Sequence, residues 1–221
     1  MDKRAELEES GRYWLRHALS EEALVKLERA SAAPDRPGAR LDWNDLFADA
    51  LGASSKMASL ADSLMINARP VRLVSFDKTP SSNWSVPWHQ DRVIAVTKRH
   101  NILGYKNWTR KAGVWHTEPP VSLLDDMLFA RIHFDDTDES NGCLQLALGT
   151  HKLGLVPADQ AAQLAVQSPV ETCSAKRGDV LFVKALTIHR SSSSASKLSR
   201  RALRIDYANA SLAPPLQWAL I

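Results

Sequence analysis

The chain has 221 residues, 44% of them hydrophobic and 24% charged, with a formal net charge of +3. That composition suits one globular domain with a sizeable core, expected over 1–221, and its scattered basic residues form no stripe of the kind a nucleic-acid binder carries. No apolar run nears the roughly 18 residues needed to cross a bilayer, and Cys143 and Cys173 sit in no C-x-x-C pair, which argues against a Cys-rich zinc site.

Residues 1–68 read as a helical N-terminal part. Its charged start, "MDKRAELEESGRYW", resembles neither a secretory signal nor an anchor, so a soluble cytoplasmic protein with free thiols is expected. In "LSEEALVKLERAS" the residues Leu19, Ala23, Leu24 and Leu27 recur at helical spacing, with Ser20 as N-cap and Glu21 and Glu22 in the first turn. "APDRPGARLDW" (33–43) reads as a loop. "SSKMASLADSLMI" (54–66) is a second helix, with Met57, Leu60, Ala61 and Leu64 on one face.

The pattern changes at Pro70, where a catalytic core over 70–208 is expected, followed by a tail at 209–221. "VRLVSF" alternates as a strand, and "VPWHQDRVIAVT" reads as a strand pair or one bent strand. "TKRHNILGYKNWTRKAG" (97–113) is basic and turn-rich. It reads either as a solvated loop or as a lid whose Lys98, Arg99, Lys106, Arg110 and Lys111 attract an anionic substrate. "PPVSLLDDM" (119–127) is a short helix opened by prolines. "LFARIHFDD" (128–136) alternates, with Leu128, Ala130, Ile132 and Phe134 on one face and Phe129, Arg131 and His133 on the other. Asn141-Gly142 signals a turn into "CLQLAL". "KRGDVLFV" and "RALRIDYA" complete the strands, with a serine-rich, ligand-covering or mobile loop "SSSSASKLS" (191–199) between them. Short strands separated by frequent turns predict a mainly β jelly roll.

Chemistry concentrates in "SVPWHQDRV" (85–93). On a strand, residues i and i+2 share a face, so His89 and Asp91 aim one nitrogen and one carboxylate at the same point. A second histidine would complete a two-His, one-carboxylate set, which leaves open positions on an octahedral ion and suits non-haem Fe(II). His189, at the end of the apolar stretch "VLFVKALTIH", is the candidate. Arg200 and Arg201 follow eleven and twelve residues later. A guanidinium there would offer a bidentate fork to the carboxylate of a dicarboxylic co-substrate.

Taken together, "PWHQDR", "NGCLQLALGTHKLG", "GDVLFVKALTIHRSSS" and "RRALRIDYA" resemble the phytanoyl-CoA dioxygenase family of Fe(II)/2-oxoglutarate oxygenases over roughly 70–208. The resemblance implies a double-stranded β-helix, or cupin-like jelly roll, with helices packed on one face. It implies iron at His89, Asp91 and His189, 2-oxoglutarate held by Arg200 and Ser191, and a small organic substrate hydroxylated with dioxygen to release succinate and CO2. The chain departs from the family in carrying Arg190 where many members have glycine, and in being short. It retains Asp91, where halogenating relatives have a small residue, which implies hydroxylation or desaturation.

Other readings stay open. A cupin-like metal enzyme would need the triad but not Arg200, and a binding domain would hold iron or 2-oxoglutarate without turnover. His133 and Asp135 form a second H-x-D, read as the less favoured ligand pair. His151, in "GTHKLG" near the expected mouth of the site, is either a turn histidine capping backbone groups or a substrate contact. His17, His100 and His116 are read as surface residues, with an approach of His116 to the pocket as the alternative. Trp84, Trp88, Trp108 and Trp115 line a pocket or pack a core.

Overall fold

The computed structural model describes residues 2–32 and 38–220. The first part of the chain runs α1 (Lys3–Ser10), β1 (Arg12–Leu15), α2 (Glu21–Ser31), β2 (Ala39–Leu41), α3 (Asp45–Leu51) and α4 (Lys56–Leu64). The remainder runs β3 (Arg69–Lys78), β4 (Val86–His89), β5 (Ile94–Val96), β6 (Lys106–Lys111), β7 (Val114–Glu118), α5 (Val121–Asp125), β8 (Met127–His133), β9 (Leu144–Ala147), α6 (Ala161–Val166), β10 (Val170–Thr172), β11 (Val180–Lys184), β12 (His189–Ser191) and β13 (Arg200–Ala208). A six-stranded antiparallel sheet in the order β1-β11-β8-β13-β3-β2 packs against a four-stranded sheet, β10-β9-β12-β4. This is a double-stranded β-helix, with a three-stranded sheet, β5-β7-β6, appended.

The helices begin where side chains satisfy their free N–H groups. Ser20, Asn44 and Ser55 accept from the backbone N–H of Ala23, Phe47 and Ala58, at 3.4, 3.1 and 3.1 Å. Leu24 and Leu27 of α2, Phe47 of α3, and Met57, Ala61 and Leu64 of α4 are buried against the outer face of the large sheet. That face is apolar: Ala130 and Ile132 of β8, Phe182 of β11, and Leu203 and Ile205 of β13 all belong to the same core. The alternation read in "LFARIHFDD" thus divides as expected, with the Leu128 face against the helices.

The inner face differs. Directly paired residues share a face of a sheet, and pairing runs Leu181–Arg131–Arg204–Val74–Arg40 across five strands. Three arginines therefore stand in one row on the side facing the small sheet. A jelly roll usually fills this space with apolar side chains, so these charges need partners.

Three expectations are corrected. The N-terminal part is not wholly helical: β1 adds an edge to β11, and β2 adds an edge to β3. Strands of four and three residues are too short to display a period. The loop read over 33–43 contains β2, while residues 33–37 lie outside the described residues. The basic stretch 97–113 is not one loop, because β6 pairs with β7. Largely exposed and with Trp108 its one apolar residue, β6 has no apolar alternation to announce it.

Phe182→Ala tests the outer-face core. The ring is fully buried with its centroid 6.4 Å from that of Tyr207. Its loss is expected to destabilise the protein by about 3–5 kcal/mol, read as a fall in the urea midpoint at unchanged slope.

Candidate metal centre and anion pocket

His89 ends β4 and His189 begins β12, and the two strands pair with these residues directly opposite. Their ring centroids are 4.3 Å apart. Asp91 follows β4 by two residues, and its Oδ2 lies 3.3 Å from His189 Nε2. One ligand atom from each of the three lies within 4.8 Å of the others. His89 Nδ1 sits 2.8 Å from the Pro87 carbonyl, and His189 Nδ1 sits 2.8 Å from that of Thr187. A carbonyl only accepts, so each Nδ1 carries the proton and each Nε2 keeps its lone pair for a metal. Burial and the neighbouring His189 push the His89 imidazole down, so it is neutral at neutral pH.

Asp91 is held from the opposite sheet. Arg204 Nη1 donates to its Oδ2 at 2.7 Å, while Arg204 Nε donates to Asp206 Oδ1 at 2.6 Å. Arg72 pairs with the other oxygen of Asp206 at 2.5 Å. Burial alone would push the Asp91 carboxyl up, but Arg204, His189 and Arg72 outweigh it and hold the group well below the usual carboxylate range. Arg204 also stacks its guanidinium over Phe129 at 4.1 Å. Phe129 in turn lies 5.6 Å from the His189 ring, so the same two side chains pack the centre from below.

Beside the triad is a cavity of about 160 Å³. Arg200 enters it from β13, buried, with Nη1 donating to the Gly142 carbonyl at 2.7 Å and Nε without a partner among the described residues. Arg131 enters from β8, buried, with Nε and Nη2 likewise unpartnered. Lys78, opposite Arg200 in the β3–β13 pairing, is fully buried. Its Nζ donates to the Ser192 carbonyl and lies 3.4 Å from Ser191 Oγ. Burial, Arg200 and Arg131 push Lys78 down to about 7, and burial pushes Arg200 down to about 10. Burial and the neighbouring arginines also lower Arg131. None of the three forms an ion pair with a carboxylate among the described residues. Burying one such charge alone costs several kcal/mol, so the pocket is built to receive an anion. Gly142, at φ +71°, permits the tight approach of the 191–199 loop, since a Cβ there would sit 2.3 Å from the Ser192 carbonyl oxygen.

The remaining sequence candidates lie elsewhere. Arg201 points outward, paired with Asp135 at 2.6 Å and with Glu28 at 3.0 Å. Asp135 is thus unavailable to a second triad, and His133 stacks on Trp14 instead, with ring centroids 5.8 Å apart. His116 is not a surface residue: it is fully buried, with Nδ1 donating to the Val114 carbonyl at 3.1 Å. His17 is exposed and His100 half-buried. His151 is a turn histidine, with Nε2 on the Glu8 carbonyl at 3.1 Å, and it lines a separate cavity against α1. Of the four tryptophans only Trp84 lines the metal cavity. Trp108 and Trp115 pack edge to face in another core, and Trp88 carries the Arg190 guanidinium at 4.8 Å. Both cysteines are buried and free. Lys78, Arg131, Arg204 and Arg72 escaped the sequence reading. Parity was the signal for two of them: Arg204 shares a strand face with Arg200, and Arg131 shares one with Phe129 and His133.

The phytanoyl-CoA dioxygenase family model matches residues 7–202. The chain belongs to the phytanoyl-CoA dioxygenase family. As a member it is a non-haem iron, 2-oxoglutarate-dependent enzyme. Its fold resembles that of AviO1 from Streptomyces viridochromogenes Tue57, at TM-score 0.67 and 21% identity, covering 98% of this chain and 99% of that one. The epimerase SnoN from nogalamycin biosynthesis matches at TM-score 0.66 and 16% identity, over 95% of this chain and 82% of its own. EctD from S. alaskensis matches at 0.67 and 16%, over 96% and 78%. SnoN has been solved with Fe3+ and alpha ketoglutarate, and EctD with bound Fe and with 2-oxoglutarate and 5-hydroxyectoine. No curated protein matches the chain. Among the described residues no helix is long and apolar enough to cross a membrane.

The sign of the Lys78 shift gives a test. Its folded value, about 7, lies below its ordinary 10.5. Between those values the unfolded chain binds the extra proton, so this group makes stability rise with pH across that window. Lys78→Met is expected to flatten that rise relative to the parent, measured by urea unfolding between the two pH values.

Proposed function

We propose that the protein is an Fe(II)/2-oxoglutarate-dependent dioxygenase that hydroxylates a small organic substrate and releases succinate and CO2. The observation that carries this reading is the His–Asp–His cluster set directly beside buried cations that form no ion pair with a carboxylate among the described residues. The donor set fits iron: two imidazole Nε2 atoms and one ionised carboxylate converge within 4.8 Å of one another. The pocket fits a dicarboxylate, whose distal group replaces the missing counter-ion.

His89, Asp91 and His189 would hold the iron, and Arg200 with Ser191 would hold 2-oxoglutarate, joined by Lys78 and Arg131. When bound, iron and 2-oxoglutarate supply oxygen activation coupled to oxidative decarboxylation of the co-substrate. The chain's own residues do the rest. The Pro87 and Thr187 carbonyls fix the histidine tautomers, and Arg204 keeps Asp91 ionised and oriented. Phe129, Phe76 and Leu144 wall the cavity and exclude water. Asp91 keeps its carboxylate in the ligand set and leaves no place there for a halide, which supports hydroxylation.

Anaerobic titration with Fe(II) and then 2-oxoglutarate is expected to give the weak visible charge-transfer band of this cofactor pair. His89→Ala removes the band. Arg200→Ala keeps iron but weakens 2-oxoglutarate by about 2 kcal/mol or more, roughly 30-fold. Arg204→Gln lowers iron affinity by about 10–100-fold, because it frees Asp91 to reorient. Full turnover by both His89→Ala and Asp91→Ala would overturn the ligand assignment, and oxygen consumption without succinate would overturn the dioxygenase reading.

A further inference from the structure

We propose that the larger cavity adjoining the His–Asp–His cluster at Asp91 binds the prime substrate, and that this substrate carries an acidic group, a carboxylate or a phosphate, held by Arg40 and Lys111. The proposal rests on the iron and 2-oxoglutarate reading above.

This cavity measures about 730 Å³, against about 160 Å³ for the anion pocket. The two share walls at Phe76, Asp91 and Arg204, so a molecule in the larger one meets the candidate metal centre at Asp91. The wall carries four cations, and two of them are already neutralised. Arg204 serves Asp91 and Asp206, and Arg72 serves Asp206. Arg40 forms no ion pair among the described residues. Among those residues its side chain makes one hydrogen bond, from Nη1 to the Lys111 carbonyl at 3.4 Å. The guanidinium is half-buried, and burial together with Arg72 pushes it down to about 10. Behind it the buried, neutral His116 offers no negative charge. The Lys111 side chain is exposed at the same wall. The carboxylate of Asp42 also lines the cavity, from an exposed residue.

The placement sets the shape of the ligand. Arg40 and Arg204 lie in one cross-sheet row separated by Val74. Two strand spacings put them roughly 10 Å apart. Trp43, Val74 and Phe76 line the cavity with them. An acid group at Arg40 therefore extends an apolar body over these side chains and presents its far end at Asp91. The arginine row divides its work: Arg131 faces the co-substrate pocket, Arg204 holds the metal ligand, and Arg40 reads the substrate.

The test uses protein loaded anaerobically with Fe(II) and saturating 2-oxoglutarate, so that the inner pocket is filled. The probes are 4-phenylbutyrate, phenyl phosphate and the neutral 4-phenylbutanamide, and the readout is Fe(II)-enhanced relaxation of probe protons. An acid is expected to bind about tenfold tighter than the amide, as a charge-assisted contact implies. The better of the two acids identifies the group. Arg40→Gln is expected to remove the preference while the charge-transfer band stays unchanged, and Arg40→Lys to keep part of it. Equal binding of acid and amide, or a preference that survives Arg40→Gln, overturns the proposal. If the band never forms but acids still bind selectively through Arg40 by equilibrium dialysis, the substrate site stands and the iron reading falls.

Discussion

A carboxylate placed between two β-sheets needs a positive charge at hydrogen-bond distance, and here Arg204 provides it from across the interior. An ionised group buried without a partner costs several kcal/mol, more than most single packing contacts return. The 2.7 Å contact from Arg204 to Asp91 therefore does two things. It keeps the carboxylate ionised, and it ties the large sheet to the loop that follows β4. Arg204 is itself held by Asp206, which Arg72 completes, so two acids and two bases close a network inside the barrel. The orientation of the candidate ligands depends on this network more than on the strands that carry them.

The same reasoning makes the anion pocket informative. Arg131 and Arg200 line a small cavity and Lys78 is buried opposite Arg200, with no carboxylate paired to any of them among the described residues. A fold selected for stability alone would replace such groups with apolar side chains of similar volume. Their presence sets aside part of the stability for a ligand that brings negative charge. The helices packed on the outer face of the large sheet, through Leu24, Phe47 and Met57, supply the apolar burial that offsets this.

Much of the arrangement was legible in the sequence. The alternation of "LFARIHFDD" placed the two faces of β8, "NG" placed a turn, and the H-x-D pair, the apolar run before His189 and the eleven-residue step to Arg200 named a cluster that the fold brings together. What escaped has a common cause. Periodicity separates the two faces of a strand but does not say which charged residues turn inward, so Lys78, Arg131 and Arg204 drew no role from the pattern. His116 failed for a related reason: it sits in a polar context, "GVWHTEPP", yet packs where the three-stranded sheet meets the barrel. Strands β1 and β2 are stabilised by edges of β11 and β3 that lie far away in the chain, and local signals do not record that.

One strand, β13, carries Arg200 and Arg204 inward and Arg201 outward onto Asp135, because side chains alternate along it. A single residue inserted ahead of Arg204 would invert that alternation downstream and turn the guanidinium away from Asp91. Length change in this part of the chain is therefore restricted to steps that preserve parity, or to the serine-rich loop before β13, where an added residue shifts no register. Descendants of this sequence would be expected to diverge in the size of that loop while holding the length of the strand constant, so that adaptation to new substrates proceeds through the rim and leaves the frame of the barrel fixed.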